Sequence, residues 1–344
     1  MPIRGSPACR RHSDREHIVV LGSKARRERD PQYKTAEGLE GDMEVLSRLL
    51  ALLVLLLIGT GLRASGVLDD SRTQLLNTVA YYVALPALIF VSTYDQAIGE
   101  LLTGALFVGL LAALLGTVAI AWAIHRESPG RGRKSVAIVQ SYHSNLGYLG
   151  LPLVAATFDA RVTAIASVVL GVISLTQVPL TILILTTMNE ADAAISTELG
   201  RLVRNPVLLT LVAGLTVGSL GLSVPGPITA GLDVLGTLAL PIALLCVGAS
   251  LQIDLPNVDV AASGAVVAVK IVCMPVLGWI ALSLLEVDAA TFTASIVMLG
   301  TPTAVSTYVF ASEIGGDEEF ASLNVFLTTL ASIATLFVLI RAVG

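Results

Sequence analysis

What most constrains this chain is a succession of apolar runs that starts at Met43 and continues to the C-terminus. They fall at 44–62, 73–93, 98–124, 135–156, 161–187, 202–221, 228–251, 258–285, 290–313 and 318–342, and a spanning helix needs about 20 such residues. In hydrocarbon every backbone N–H and C=O needs an internal partner, so runs of this length predict α-helices. Charge follows the same division. Nine of the 21 Lys and Arg and seven of the 26 Asp and Glu fall in the first 42 residues. Over the whole chain 14% of residues are charged and 54% hydrophobic, against about 25% charged in an ordinary soluble domain. The expected fold class is an all-α integral membrane protein, with the lipid bilayer as its solvent and no nucleic acid as partner.

Residues 1–42 contain no apolar core of the kind a secretory signal carries. They read either as a charged, disordered extension or as the product of a translation start upstream of Met43. Residues 43–344 then form one transmembrane domain. Cys9, Cys246 and Cys273 are too few and too scattered for a disulfide framework or a metal cluster. No cofactor or metal is expected.

Membrane orientation is set by where Lys and Arg lie in the short loops. Arg126, Arg131, Arg133 and Lys134 follow the third run, Arg63 and Arg72 flank the first connection, and Arg201 and Arg204 flank the fifth. All three loops share one side, which is predicted to be cytoplasmic. Only Arg48, Arg161 and Arg341 fall opposite. Both termini of a ten-helix domain then lie outside the cell membrane, although the arginines of residues 1–42 oppose that placement.

The chain also repeats itself. NTVAYYVALPALIFVST, with Pro86, matches LDVLGTLALPIALLCVGAS, with Pro241, at an offset of 155, and Gly59 and Gly214 hold equivalent places at the same offset. A repeat of five helices, an odd number, re-enters the membrane upside down, an arrangement many secondary transporters use. The expected architecture is therefore ten transmembrane helices in two inverted five-helix repeats, about 43–187 and 202–342.

One helix of each repeat is expected to be broken. The fourth run, SVAIVQSYHSNLGYLGLPLVAATF, places Gln140, Ser141, His143, Ser144 and Asn145 at mid-membrane depth and follows them with Gly147, Gly150 and Pro152. The ninth, ASIVMLGTPTAVSTYVFASE, has Gly300, Thr301, Pro302, Thr303, Ser306 and Thr307 at the matching place. Glycine loosens the backbone and proline removes a donor, so both segments free backbone groups that protein or cavity water must satisfy. Half-helix ends that meet at the midplane turn orphan amides and partial positive charge toward one spot, which favours an anion. Asn145 and Thr303, directly after the expected breaks, can add hydrogen bonds to a carboxylate. The plainer alternative is that these small and polar residues only pack helices together.

Lys270 is the basic residue well inside an apolar run, and burying it costs roughly 2.5–3.5 kcal/mol on insertion scales, so a function is the default. It can attract the anion, bind a carbonyl at the crossing point, or snorkel to an interface. Asp233 is placed at the start of the seventh helix as a cap. His143 beside Ser141 and Ser144 suggests a hydrolase only superficially, because no G-x-S-x-G elbow and no orienting carboxylate accompany it. Packing is its plainer role and proton coupling the alternative. Tyr81 and Tyr82 read as packing or cavity wall. The chain is not expected to be an enzyme.

Taken together, LLLIGTGLRASGVLDDSRTQLLNTVAYYVALPALIF, SNLGYLGLPLV, LGTLALPIALLCVGASL and TPTAVSTYVFASE resemble the auxin efflux carrier family over about residues 43–342. The resemblance implies broken crossover helices 4 and 9, a scaffold part and a transport part, elevator-like movement of small carboxylates, and a homodimer. Its substrate site maps onto Ser144, Asn145, Leu146, Gly147, Pro302, Thr303 and Ala304, with Lys270 supporting the crossover. Plant carriers of the family have a proline before the asparagine, where this chain has Ser144, and a long loop that is here only MNEADAAISTELGRLVR. The expected partner is a small organic anion carried by an alternating-access mechanism. The competing expectation is a sodium-coupled symporter of the bile-acid type with the same fold.

Overall fold

The computed structural model describes residues 47, 50–191, 200–250 and 260–344. All the helices below belong to the unit Leu49–Gly344. The expectations for residues 1–42 and Cys9 lie outside the described residues.

Among the described residues six helices are long and apolar enough to cross a membrane: α2 (Asp70–Thr93), α3 (Gly104–His125), α5 (Ala160–Asn189), α7 (Gly226–Ser250), α8 (Ala261–Leu284) and α10 (Glu318–Val343). Shorter apolar helices stand between them: α1 (Leu50–Ala64), α4b (Leu146–Thr157), α6 (Pro206–Ser219) and α9a (Ala289–Leu299). Two further pieces, α4a (Arg131–Gln140) and α9b (Ser306–Glu313), complete the interrupted fourth and ninth runs.

Most helix starts follow from one local rule, that a side-chain oxygen just before an apolar run accepts an orphan amide. Asp69 accepts from Arg72 N, Thr103 from Leu106 N, Asp159 from Val162 N, Asn205 from Val207 N and Leu208 N, and Asp317 from Phe320 N. The cap at Thr103 detaches the single turn Ile98–Leu101 from α3, where hydropathy alone reads one helix. Asp233 does not cap α7. The helix starts at Gly226 with Pro227 in its first turn, where the missing N–H costs nothing, and Asp233 lies two turns further in.

Three π-turns have a common cause. Ala80–Ala84, Leu146–Gly150 and Val269–Cys273 each begin six residues before a proline, at Pro86, Pro152 and Pro275. A proline has no N–H to donate and its ring crowds the carbonyl one turn back, so the preceding turn widens.

The helices sort into two packed groups. α2 lies against α6 and α7, and α1 against α7. At Gly59 and Gly248 the α1 and α7 backbones approach so closely that a Cβ would meet the partner main chain, and Thr60 Oγ1 donates to Gly248 O at 2.9 Å. In the other group α3 packs on α8, α5 on α4a and α9a, and α10 on α8 and α9a. One end of this second group is fastened by polar contacts. Arg133 Nε bonds Asp317 Oδ2 at 3.0 Å with its guanidinium 5.3 Å from the Phe320 ring centroid, and Asn189 Nδ2 donates to Ile314 O at 2.9 Å.

Candidate functional site

The interruptions fall at 141–145 and 300–305, and there the two chains run antiparallel. Ser144 faces Thr303 in an isolated β-bridge. Asn145 N donates to Pro302 O at 2.8 Å and Ala304 N to His143 O at 3.0 Å. Backbone groups freed from the helices thus satisfy one another, as a lipid-embedded chain requires.

Side chains from the following helices close the outer edges. Gln177 of α5 grips the Ser144 peptide from both sides: Ser144 N donates to Oε1 at 3.0 Å, and Nε2 donates to Ser144 O at 3.2 Å. On the other strand Thr303 N donates to Thr328 Oγ1 of α10 at 3.3 Å. Behind the crossing, Gln140 Nε2 donates to Thr307 Oγ1 and Ala321 O while its Oε1 accepts from Asn324 Nδ2 at 3.0 Å. Neither Gln177 nor Thr328 is conspicuous in the sequence. The available signal for Gln177 is a long polar side chain two residues before Pro179 in the middle of an apolar helix.

The first half-helices end on different partners. The last carbonyl of α4a, Gln140 O, accepts from the Thr303 hydroxyl. The last carbonyl of α9a, Leu299 O, accepts from the Lys270 ammonium at 3.0 Å, and Lys270 is fully buried with Nζ 3.3 Å from Met274 Sδ. A cation at a helix C-terminus meets the negative end of the dipole. Of the three sequence-level roles for Lys270, the geometry matches the crossing-point carbonyl.

The second half-helices open toward space. α4b has no side-chain cap, and its first backbone bond is Gly150 N to Asn145 O at 3.0 Å, so the amides of Leu146, Gly147, Tyr148 and Leu149 have no intrahelical acceptor. Two cavities converge here, of about 400 and 700 Å³. Asn145, Tyr81, Tyr148, Ala304, Ser306 and Val309 line both. The smaller also takes in His143, Ser144, Leu146, Gly147, Gln177 and Arg201, and the larger Asp70, Asn77 and Ser250. Asn145 is only 3% exposed, and its carboxamide makes no hydrogen bond among the described residues.

The structure therefore brings Ser144, Asn145, Leu146, Gly147 and Ala304 to cavity wall. Pro302 and Thr303 line neither of these two cavities. Their carbonyl, amide and hydroxyl are spent on Asn145, Thr328 and Gln140. Cys246 is a buried free thiol beside the larger cavity. Among the described residues no group of three or more His, Cys, Asp or Glu side chains is placed to hold a metal ion.

Residues 44–340 match the family model described as membrane transport protein. A Rhizobium meliloti (strain 1021) protein named "Putative malonate transporter" is 28% identical over 268 residues, 76% of this chain and 83% of its own. An uncharacterized transporter of Methanothermobacter thermautotrophicus is 26% identical over 294 residues, and one of Methanocaldococcus jannaschii 22% over 299. Each alignment covers 83% of this chain and 94% of the relative.

Proposed function

The chain belongs to the membrane transport protein family, that of the auxin efflux carriers, and from that premise we propose that it is a secondary carrier of small organic carboxylates. The observation that carries this is the Asn145 carboxamide, buried, without a hydrogen-bond partner among the described residues, and set beside the open α4b amides in the wall shared by the two cavities. Unpaired donors at a helix N-terminus in a low-dielectric site suit a carboxylate, which accepts several N–H bonds at once. The relative named for malonate supports a carboxylate of that size.

In this proposal the ten helices form two inverted repeats, 43–187 and 202–342. α1, α2, α6 and α7 are the scaffold, and α3–α5 with α8–α10 move past them as one elevator-like body carrying the crossing. Two features support the division. Glycine contacts tie α1 to α7, and the hydrogen-bonded crossing with its Lys270 prop lies wholly within the second group. Pro302, Thr303 and Lys270 then hold the site in register, while Ser144, Asn145, Leu146, Gly147 and Ala304 meet the ligand. The basic loops face the cytoplasm, both ends of the ten-helix domain face outward at the plasma membrane, and the carrier works as a homodimer.

Uptake of labelled malonate into proteoliposomes, with and without sodium or proton gradients, tests this. Carboxylate uptake and thermal stabilisation by malonate are expected. A protein that neither moves nor is stabilised by any of a panel of small carboxylates is not this carrier, and uptake strictly dependent on sodium shifts the assignment to a bile-acid-type symporter.

A further inference from the structure

We infer that His143 binds a proton together with the substrate, so that transport is coupled to a proton gradient; this rests on the carboxylate-carrier proposal. His143 lies two residues before Asn145, is 2% exposed, and lines the smaller cavity. Its Nδ1 is 2.8 Å from Thr181 Oγ1 of α5, which is also 3.0 Å from Tyr142 Oη, and its ring packs 6.1 Å from that of Phe310. With Nδ1 engaged by Thr181, Nε2 is the nitrogen left to the cavity.

This geometry suits a group that changes charge without moving. When Nδ1–H donates to Thr181 Oγ1, neutral imidazole presents the Nε2 lone pair to cavity water, the tautomer being fixed by the partner of the other nitrogen. Protonation makes an Nε2–H bond and leaves the Nδ1–H bond to Thr181 in place. The ring then offers a charged donor beside the open α4b amides, at hydrogen-bonding reach of a carboxylate that spans His143 and Asn145.

The surrounding groups explain why proton and anion should arrive together. Lys270 on α8 is engaged by Leu299 O at 3.0 Å and lines neither of the two cavities. Tyr142 adjoins His143, Tyr81 and Tyr148 line the smaller cavity, and Arg201 and Glu313 line it too. A buried imidazolium is unfavourable without an opposite charge beside it, and a carboxylate bound at Asn145, two residues away on the same cavity wall, supplies one. Bound carboxylate therefore favours bound proton, and by linkage the proton favours the carboxylate to the same extent. The balance is one proton taken from water to Nε2 on the loading side and returned to water when the carboxylate leaves on the other.

The test is malonate accumulation in proteoliposomes with the membrane potential clamped, alongside malonate exchange at equal pH. One proton per carboxylate predicts about tenfold accumulation for a gradient of one pH unit, each tenfold being about 1.4 kcal/mol. H143Q is expected to keep measurable, slower exchange and to lose accumulation. If H143Q does not fold, T181V is expected to fold and to shift the pH profile of exchange, because it frees Nδ1. Wild-type protein that exchanges malonate but ignores the pH gradient overturns the inference and leaves the carrier standing. So does H143Q accumulating like the wild type, or an unshifted T181V profile. Absence of any malonate exchange by the wild type fails the carrier proposal itself.

Discussion

The two interruptions are made from similar parts and finished differently. In the first, the final carbonyl of α4a is met by a neutral hydroxyl, that of Thr303, and the strand edge is gripped twice by Gln177. In the second, the final carbonyl of α9a is met by an ammonium, that of Lys270, and the strand edge is held once by Thr328. The outer ends differ as well. α9a is capped by Asp288, which accepts from Thr291 N, whereas α4a begins after Gly130 with no side-chain cap. The second break is thus built as a prop, with charges at both ends of its first half. The first break meets its final carbonyl with no charged group and leaves its amides and the Asn145 carboxamide to the cavity. In the proposed carrier, binding and support are thus divided between two segments that look equivalent in sequence.

The division is broken most severely at Asn145. N145A is expected to lower malonate affinity by a hundredfold or more, about 2.7 kcal/mol, with the melting temperature of the ligand-free protein unchanged, as read by a thermal-shift titration. Retained affinity would remove the first break from the binding role. At the prop, K270M is expected to cut transport about tenfold while stability moves less, because removing a buried ammonium relieves its desolvation even as Leu299 O loses a charged partner worth about 1.5–3 kcal/mol. Equal loss of transport and folding would make Lys270 a packing residue.

The strand edges sharpen the comparison at a smaller scale. Q177L strands both the amide and carbonyl of Ser144, at about 1–3 kcal/mol for each buried unpaired group, and T328V strands only the Thr303 amide. Q177L should therefore lower the melting temperature about twice as far as T328V, and the reverse order would reverse the assignment of the tighter edge. Smallest is D288A, which removes a cap worth about 1 kcal/mol. Burial raises the Asp288 carboxyl, but the hydroxyl and amide of Thr291 and the charge of Arg161 together hold it below the usual carboxylate range. A lowered carboxyl stabilises the folded state above its unfolded-state pKa and stops doing so as pH falls through the folded one. The wild-type advantage over D288A should accordingly fade on acidification, which melting curves at neutral and acid pH would show.

The interruptions themselves were legible because Gly and Pro act locally. Gly147, Gly150 and Pro152 directly after the polar cluster 140–145, and Gly300 and Pro302 among threonines, mark a break close by, whereas Pro86, Pro179 and Pro275 among apolar residues sit inside continuous helices. The caps at Asp69, Thr103, Asp159, Asn205 and Asp317 were not read from the apolar runs: Thr103 falls inside the run 98–124, and Asp233, read as a cap, lies two turns inside α7 because Pro227 sets its start. The partners of the crossing were not legible. Gln177 pairs with Ser144 across 33 positions and Thr328 with Thr303 across 25, and no periodicity within one apolar helix says which of its polar side chains turns inward or toward what. Thr303 shows the limit well. Its residue type suits a carboxylate, yet a nearer acceptor, the carbonyl of Gln140, takes its hydroxyl.

The pairing of Asn145 N with Pro302 O has a consequence for how the chain is made. Synthesis delivers residue 145 long before residue 302, and contacts so distant in sequence form late. Until α9a and α9b are in the bilayer, the amide of Asn145 and the carbonyl of His143 lack the acceptor and donor that the finished protein gives them. The N-terminal half therefore waits in the membrane with an unfinished centre, exposed to the insertion and quality-control machinery. Truncations and stop codons anywhere before residue 304 should yield a species recognised as unfolded, however many of its helices have already inserted.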